Sequence, residues 1–237
     1  MIRFILVILT AFLYLILSIP VLLVLLLIRK KKPEVCDKVS RALIRWIFRV
    51  ILFFAGTKIT VEGQENIPND RAVLYIGNHR SYFDILVTYT TVPGSCGFVA
   101  KKELARIPLL KNWMELIHCL FLDRSDIKQG LQMILAGCEE IKSGTSICIF
   151  PEGTRRPQPL PSPFKSGLWR LMREFPDVEL IPVYIENLHR SMPKGTLIPI
   201  PTICSVRFGA PLPHSPDDSK ENFLNRARNA VIQLAES

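Results

Sequence analysis

The residue types best suited to proton transfer in this chain of 237 residues are His79 and Asp84, in the stretch Tyr75-Ile-Gly-Asn-His-Arg-Ser-Tyr-Phe-Asp-Ile-Leu86. A carboxylate that accepts the proton of one imidazole nitrogen leaves the other free as a base near neutral pH and stabilises the imidazolium that forms. On one continuous helix, five residues turn through roughly 140° and the two side chains diverge. They meet only if His79 lies in a bend. The local sequence predicts that bend: Ala72 to Ile76 is an apolar run of strand type, Gly77-Asn78 breaks it, and Ser81 with Asp84 three residues on has the form of a helix start. Taken alone, the same residues equally fit a capping box beside a locally bonded histidine.

A second stretch bears on the choice. Thr145 to Phe150 has the pattern of another short buried strand and runs into Pro151-Glu-Gly-Thr-Arg-Arg156, where Gly153 permits a tight turn and the arginines offer forked donors suited to phosphate. On its own this is an ordinary strand-ending turn with exposed charge.

Together, Asn-His-x-x-x-x-Asp and Phe-Pro-Glu-Gly-Thr-Arg resemble the glycerolipid acyltransferase family, which includes the 1-acylglycerol-3-phosphate acyltransferases. The resemblance implies a catalytic pair at His79 and Asp84 and an acceptor-phosphate site at Glu152, Gly153, Thr154 and Arg155. Leu120-Phe-Leu-Asp-Arg124 resembles a family block whose arginine contacts the same phosphate, and Ile181-Pro-Val-Tyr-Ile185 resembles a late strand block. Lys101, Lys102 and Lys165 stand where relatives often carry lysines. After Arg155 many relatives continue Ser-Arg-Asp-Gly, whereas this chain has Arg156-Pro-Gln-Pro-Leu-Pro-Ser-Pro. The resemblance covers roughly residues 57–210. It implies a lysophosphatidate acceptor, an acyl-CoA or acyl carrier protein donor as co-substrate, and no cofactor. Direct attack on a thioester needs no covalent serine or cysteine, and the chain has no Gly-x-Ser-x-Gly. No third ligand lies near His79 and Asp84 in sequence, so no metal is expected there. Two alternatives remain: another lysolipid acceptor, such as a lyso-ornithine lipid or lysophospholipid, or a membrane-surface binding protein that kept the fold without turnover.

The elements that must position these residues follow from periodicity. Short apolar strands alternate with amphipathic helices beyond Gly56, and the helix whose face is Ile127, Leu131, Ile134, Leu135, Cys138 and Ile141 joins two such strands in the manner of a parallel crossover. The pattern predicts an α/β domain over 57–237, a mixed, largely parallel sheet flanked by helices. Ahead of it, residues 1–56 form a membrane-anchoring helical segment. Phe4 to Ile28 is free of charge, about 37 Å long if helical against about 30 Å of bilayer hydrocarbon. It spans if tilted, or forms a monotopic hairpin if it bends at Pro20. Arg41, Arg45 and Arg49 then recur through an apolar run, predicting a basic amphipathic helix in the headgroup region.

The net charge of +9 is uneven. Residues 1–61 hold ten Lys or Arg against Glu34 and Asp37, a balance of +8, leaving +1 for the rest. Basic charge beside an apolar segment fits anionic lipid and orientation by the positive-inside tendency, with the catalytic domain on the cytoplasmic side of the cell membrane, rather than nucleic acid. Six cysteines without metal-ligand spacing fit buried, reduced thiols.

Overall fold

The computed structural model describes residues 1–123, 127–156, 158, 160–192, 196, 198–213 and 218–236. Its elements run α1 (Ile2–Leu17), α2 (Ile19–Ile28), α3 (Pro33–Ala55), β1 (Thr57–Glu62), β2 (Leu74–Gly77), α4 (Phe83–Thr91), β3 (Cys96–Lys101), α5 (Pro108–Leu116), β4 (Leu120–Leu122), α6 (Ile127–Lys142), β5 (Ser146–Ile149), α7 (Gly167–Glu174), β6 (Leu180–Ile185), α8 (Leu188–Ser191), β7 (Thr202–Phe208) and α9 (Lys220–Glu236). The strands form one sheet in the order β1-β7-β6-β2-β5-β3-β4. Among the strands of the described residues, every pairing is parallel except β6–β7. The sheet is therefore mixed and largely parallel, as its apolar, two-sided strands predict.

β2 lies at its centre, and its side chains show why it reads as an unbroken apolar run. Leu74 and Ile76 face a core shared with α6, α7 and α9, while Tyr75 faces a second core shared with α3 and α4. Each face of the strand is covered, so alternation with polar residues has no place. The helix after β2 packs on one face of the sheet and the helix after β5 on the other. Adjacent strands whose connections leave to opposite faces open a crevice beyond their carboxyl ends, the place where open α/β sheets bind ligands.

α6 carries β4 across to β5, and both flank β3 in parallel. Its Ile134, Cys138 and Ile141 are buried as the helical spacing requires, whereas Leu135 stays exposed. Ser125 and Asp126, just ahead of α6, lie outside the described residues.

The amino-terminal apolar run is not one helix. It breaks at Ser18, and α1 and α2 meet at a bend of 50°, so no single helix among the described residues is long and apolar enough to cross a membrane. Pro20 sits in the first turn of α2, where its missing N–H costs nothing. The Ser18 hydroxyl accepts a hydrogen bond from Trp113 Nε1 at 3.1 Å, which fixes the bend against α5. α1 and α2 then run back along α3: Arg3 donates to the Phe54 carbonyl at 3.1 Å, and the Cys36 thiol to the Leu25 carbonyl at 3.4 Å.

Two of the three arginines expected to face lipid point inward instead. Arg41 bonds Ser95 Oγ at 2.8 Å and Arg45 bonds the carbonyls of Val92 and Gly94, so both fasten α3 to the loop ahead of β3. Arg49 is exposed. One face of α3, through Ile44, Ile47, Ile51 and Ala55, is continuous with the core under the sheet, while Trp46 and Phe53 are exposed on another. All six cysteines are free, five of them buried.

Candidate active site

The bend that the sequence requires is present. β2 ends at Gly77, α4 begins at Phe83, and His79 lies between them. His79 Nδ1 is 2.8 Å from Asp84 Oδ2. Since a carboxylate only accepts, Nδ1 carries the proton and Nε2 is left with its lone pair. Asp84 is 1% exposed, and the same Oδ2 also accepts the backbone N–H groups of Arg80 at 2.7 Å and Ser81 at 2.8 Å. The Ser81 hydroxyl accepts from the Phe83 N–H at 3.2 Å. The two sequence readings of this stretch are thus not rivals: one aspartate closes the start of α4 and orients the imidazole.

The turn after β5 supports the histidine from the other side. Phe150 stacks on the His79 ring, centroids 4.4 Å apart and planes 14° from parallel. The His79 N–H donates to Glu152 Oε1 at 2.9 Å, and the His79 carbonyl accepts from the Arg156 N–H at 2.9 Å. Ring, N–H and carbonyl of one residue are all held by the second motif. Gly153, with φ of 71°, makes the turn, closed by its N–H to the Phe150 carbonyl at 2.9 Å. Lys165 lies across it: a Cβ on Gly153 would come within 2.8 Å of Lys165 Nζ. Arg155 sits over the Tyr82 ring, its Cζ 3.4 Å from the centroid. Histidine, guanidinium and ammonium thereby converge at the carboxyl ends of β2 and β5.

Glu152 is placed differently from the acceptor-binding role that the resemblance implies. It is 3% exposed, and its other oxygen accepts the Ser162 N–H at 2.9 Å. A buried carboxylate with both oxygens engaged by amides holds loops; its charge would repel a phosphate. Thr154 is exposed in the turn. Lys102 is paired with Asp123 at 2.9 Å, and no described contact joins it or Lys101 to His79. Arg124 lies outside the described residues.

Sequence reading missed Asn78, Phe150 and Tyr82. Asn78, 1% exposed, donates to the Ile185 carbonyl at 2.9 Å and accepts the Ile185 N–H at 2.8 Å, completing the edge of β6 where the chain leaves β2. An asparagine immediately before the histidine was its only signal. His118 is also engaged: its Nδ1 is 2.8 Å from Glu140 and its Nε2 3.2 Å from Asp37. Burial disfavours its charged form, but the hydrogen bonds that its ring N–H groups donate to the two carboxylates outweigh that and raise its pKa to about 9. His189, close to Arg80 and Arg190, is lowered by burial and by those cations. His214 lies outside the described residues.

An α/β sheet with an acid-oriented histidine beside a cationic turn defines a class of acid–base group-transfer site. The profile of the Acyltransferase family matches residues 58–186, which include every element of that site, and the chain belongs to this family. Among curated relatives, it is 30% identical over 178 residues to "1-acyl-sn-glycerol-3-phosphate acyltransferase" of Cocos nucifera, covering 75% of this chain and 56% of that one. It is 31% identical over 146 residues to the protein of the same name from Saccharomyces cerevisiae, covering 60% and 48%. The chain spans about half the length of the curated relatives it matches. In fold it matches the crystal structure of "the 1-acyl-sn-glycerophosphate (LPA) acyltransferase, PlsC, from Thermotoga maritima" with a TM-score of 0.82 at 22% identity, over 99% of this chain and 94% of that one.

Proposed function

We propose that this protein is a membrane-surface 1-acylglycerol-3-phosphate O-acyltransferase that forms phosphatidate from lysophosphatidate and an acyl thioester. The observation that carries this reading is the 2.8 Å His79–Asp84 hydrogen bond on a histidine whose backbone is fastened to the turn bearing Arg155. The names of the relatives supply the acceptor.

His79 Nε2 takes the proton of the sn-2 hydroxyl as the oxygen attacks the thioester carbonyl. The imidazolium is stabilised by Asp84, and a positioned base of this kind contributes about 10²–10⁴ in rate. The tetrahedral intermediate collapses by breaking the C–S bond. A thiol of pKa about 8.5 leaves readily, and the proton held on Nε2 passes to its sulfur. Arg155 and Lys165, across the Gly153 turn, receive the acceptor's phosphate. The exposed apolar faces of α1 and α2, followed by Arg29-Lys-Lys-Lys32, hold the site at the lipid surface from the cytoplasmic side.

The test is turnover by the purified full chain with lysophosphatidate and, in parallel, acyl-CoA and acyl carrier protein donors, phosphatidate being read by mass spectrometry. A panel of other lysolipid acceptors is run alongside. Phosphatidate should form and His79→Ala should abolish it; full activity in His79→Ala removes the assigned role.

A further inference from the structure

We infer that Tyr82 is a positioning residue for acceptor-phosphate recognition, acting through Arg155; this rests on the acyltransferase reading above. Tyr82 is 51% exposed, so its ring is not held by core packing. Its one aromatic contact among the described residues is the guanidinium of Arg155, 3.4 Å from the centroid. Arg155 forms no ion pair among the described residues, although the chain supplies carboxylates elsewhere. A guanidinium carbon 3.4 Å from a ring centroid leaves no room for an N–H to stand between them, so the planar group must lie over the ring with its N–H bonds directed in its own plane. The aromatic face therefore fixes the cation without using its donors, where a carboxylate would consume them.

The placement of Tyr82 gives this contact its meaning. Tyr82 caps α4, three residues after His79 and two before Asp84. The Arg156 N–H, one residue beyond Arg155, is bonded to the His79 carbonyl. Base and phosphate fork are thus referenced to the same short bend, which sets the separation between the bound phosphate and the hydroxyl to be deprotonated. An arginine on a free turn samples many rotamers, and ordering it on binding weakens affinity; held over Tyr82, it is ordered beforehand. The phenol oxygen has no part in this, so any flat ring at residue 82 should serve.

The experiment compares full-length Tyr82→Ala, Tyr82→Leu, Tyr82→Phe and wild type by steady-state kinetics with lysophosphatidate, and measures competitive inhibition by glycerol 3-phosphate, a probe of the phosphate site alone. Expected in the Ala and Leu variants is a rise of about threefold to thirtyfold in acceptor KM and in the inhibition constant, the range an aromatic–cation contact supports. Their kcat should stay within about twofold, with an unchanged pH profile because His79 and Asp84 are untouched. Tyr82→Phe should match wild type. An unchanged acceptor KM in Tyr82→Ala, a loss confined to kcat, or a Phe variant as impaired as Ala would overturn the inference while the acyltransferase reading stands. Wild-type protein that acylates no lysophosphatidate overturns that reading and the inference with it.

Discussion

Asp84 gathers three donors on one carboxylate oxygen, two from the backbone and one from His79. Geometry and charge are separable there. In Asp84→Asn the amide oxygen takes the place of Oδ2 and keeps the backbone bonds, but no negative charge faces the imidazolium. We expect kcat to fall by about 10²–10⁴, with a stability loss of about 1–3 kcal/mol because the new NH₂ stands where the buried Oδ1 has no partner, measured by single-turnover kinetics and calorimetry. Glu152 separates positioning from binding in the same way. In Glu152→Gln one of the two amides, of His79 or Ser162, faces an NH₂ group instead of an acceptor, leaving a buried donor unmet at a cost of about 1–3 kcal/mol. The bend carrying His79 loosens, so kcat should fall tenfold or more with acceptor KM nearly constant. A rise confined to KM would restore Glu152 to direct contact with the acceptor.

At the scale of elements, His118 joins three of them: Asp37 on α3, Glu140 on α6, and its own turn between α5 and β4. The turn needs a left-handed backbone, φ of 60°, which costs a non-glycine residue about 1 kcal/mol. Its folded pKa of about 9 stands above the ordinary 6.5. A raised pKa contributes stability that is complete below 6.5, declines as the unfolded chain gives up the proton first, and is gone above about 9. The contribution is on the order of 2 kcal/mol at pH 7. The melting temperature should therefore drop between pH 6.5 and 9 in wild type, and His118→Gln should be less stable at pH 6.5 and lose that dependence. This cluster was invisible in sequence because Asp37, His118 and Glu140 are far apart in the chain and obey no shared spacing. By contrast β6 was legible in its Ile181-Pro-Val-Tyr-Ile185 block, an unbroken run of buried side chains, whereas β7 alternates, with Cys204, Val206 and Phe208 buried between more exposed residues. The His79 bend was legible too, because it is local. The engagement of Phe150, Glu152 and Arg156 with His79 spans about seventy residues and depends on β5 pairing with β2, which only the fold reveals.

At the scale of the whole molecule, one face of α1 is apolar and uncovered. Ile5, Leu9, Phe12 and Ile16 recur at helical spacing and are all exposed, and Leu23 and Leu27 of α2 share that exposure, while Val7, Leu22 and Leu25 are buried against the rest of the protein. A helix whose inner face is in the core and whose outer face is bare has the form that the proposed lipid-surface contact requires. The outer face can therefore be altered without touching the core. Leu9→Glu with Phe12→Glu removes apolar area worth about 1.5–3 kcal/mol per side chain from lipid contact, so partitioning onto vesicles should weaken at least tenfold. Replacing Lys30, Lys31 and Lys32 by Gln should weaken binding to anionic vesicles by about 1 kcal/mol per residue and leave neutral vesicles nearly unaffected. Cosedimentation with the two vesicle types checks both. If the site works from the bilayer, the same Glu pair should reduce turnover of long-chain lysophosphatidate presented in vesicles, yet spare a short-chain acceptor dispersed in detergent. His79, Asp84 and Arg155 are unchanged in that protein, and only delivery of the substrate to them is lost. Equal loss with both acceptors would mean that the outer face of α1 stabilises the site itself.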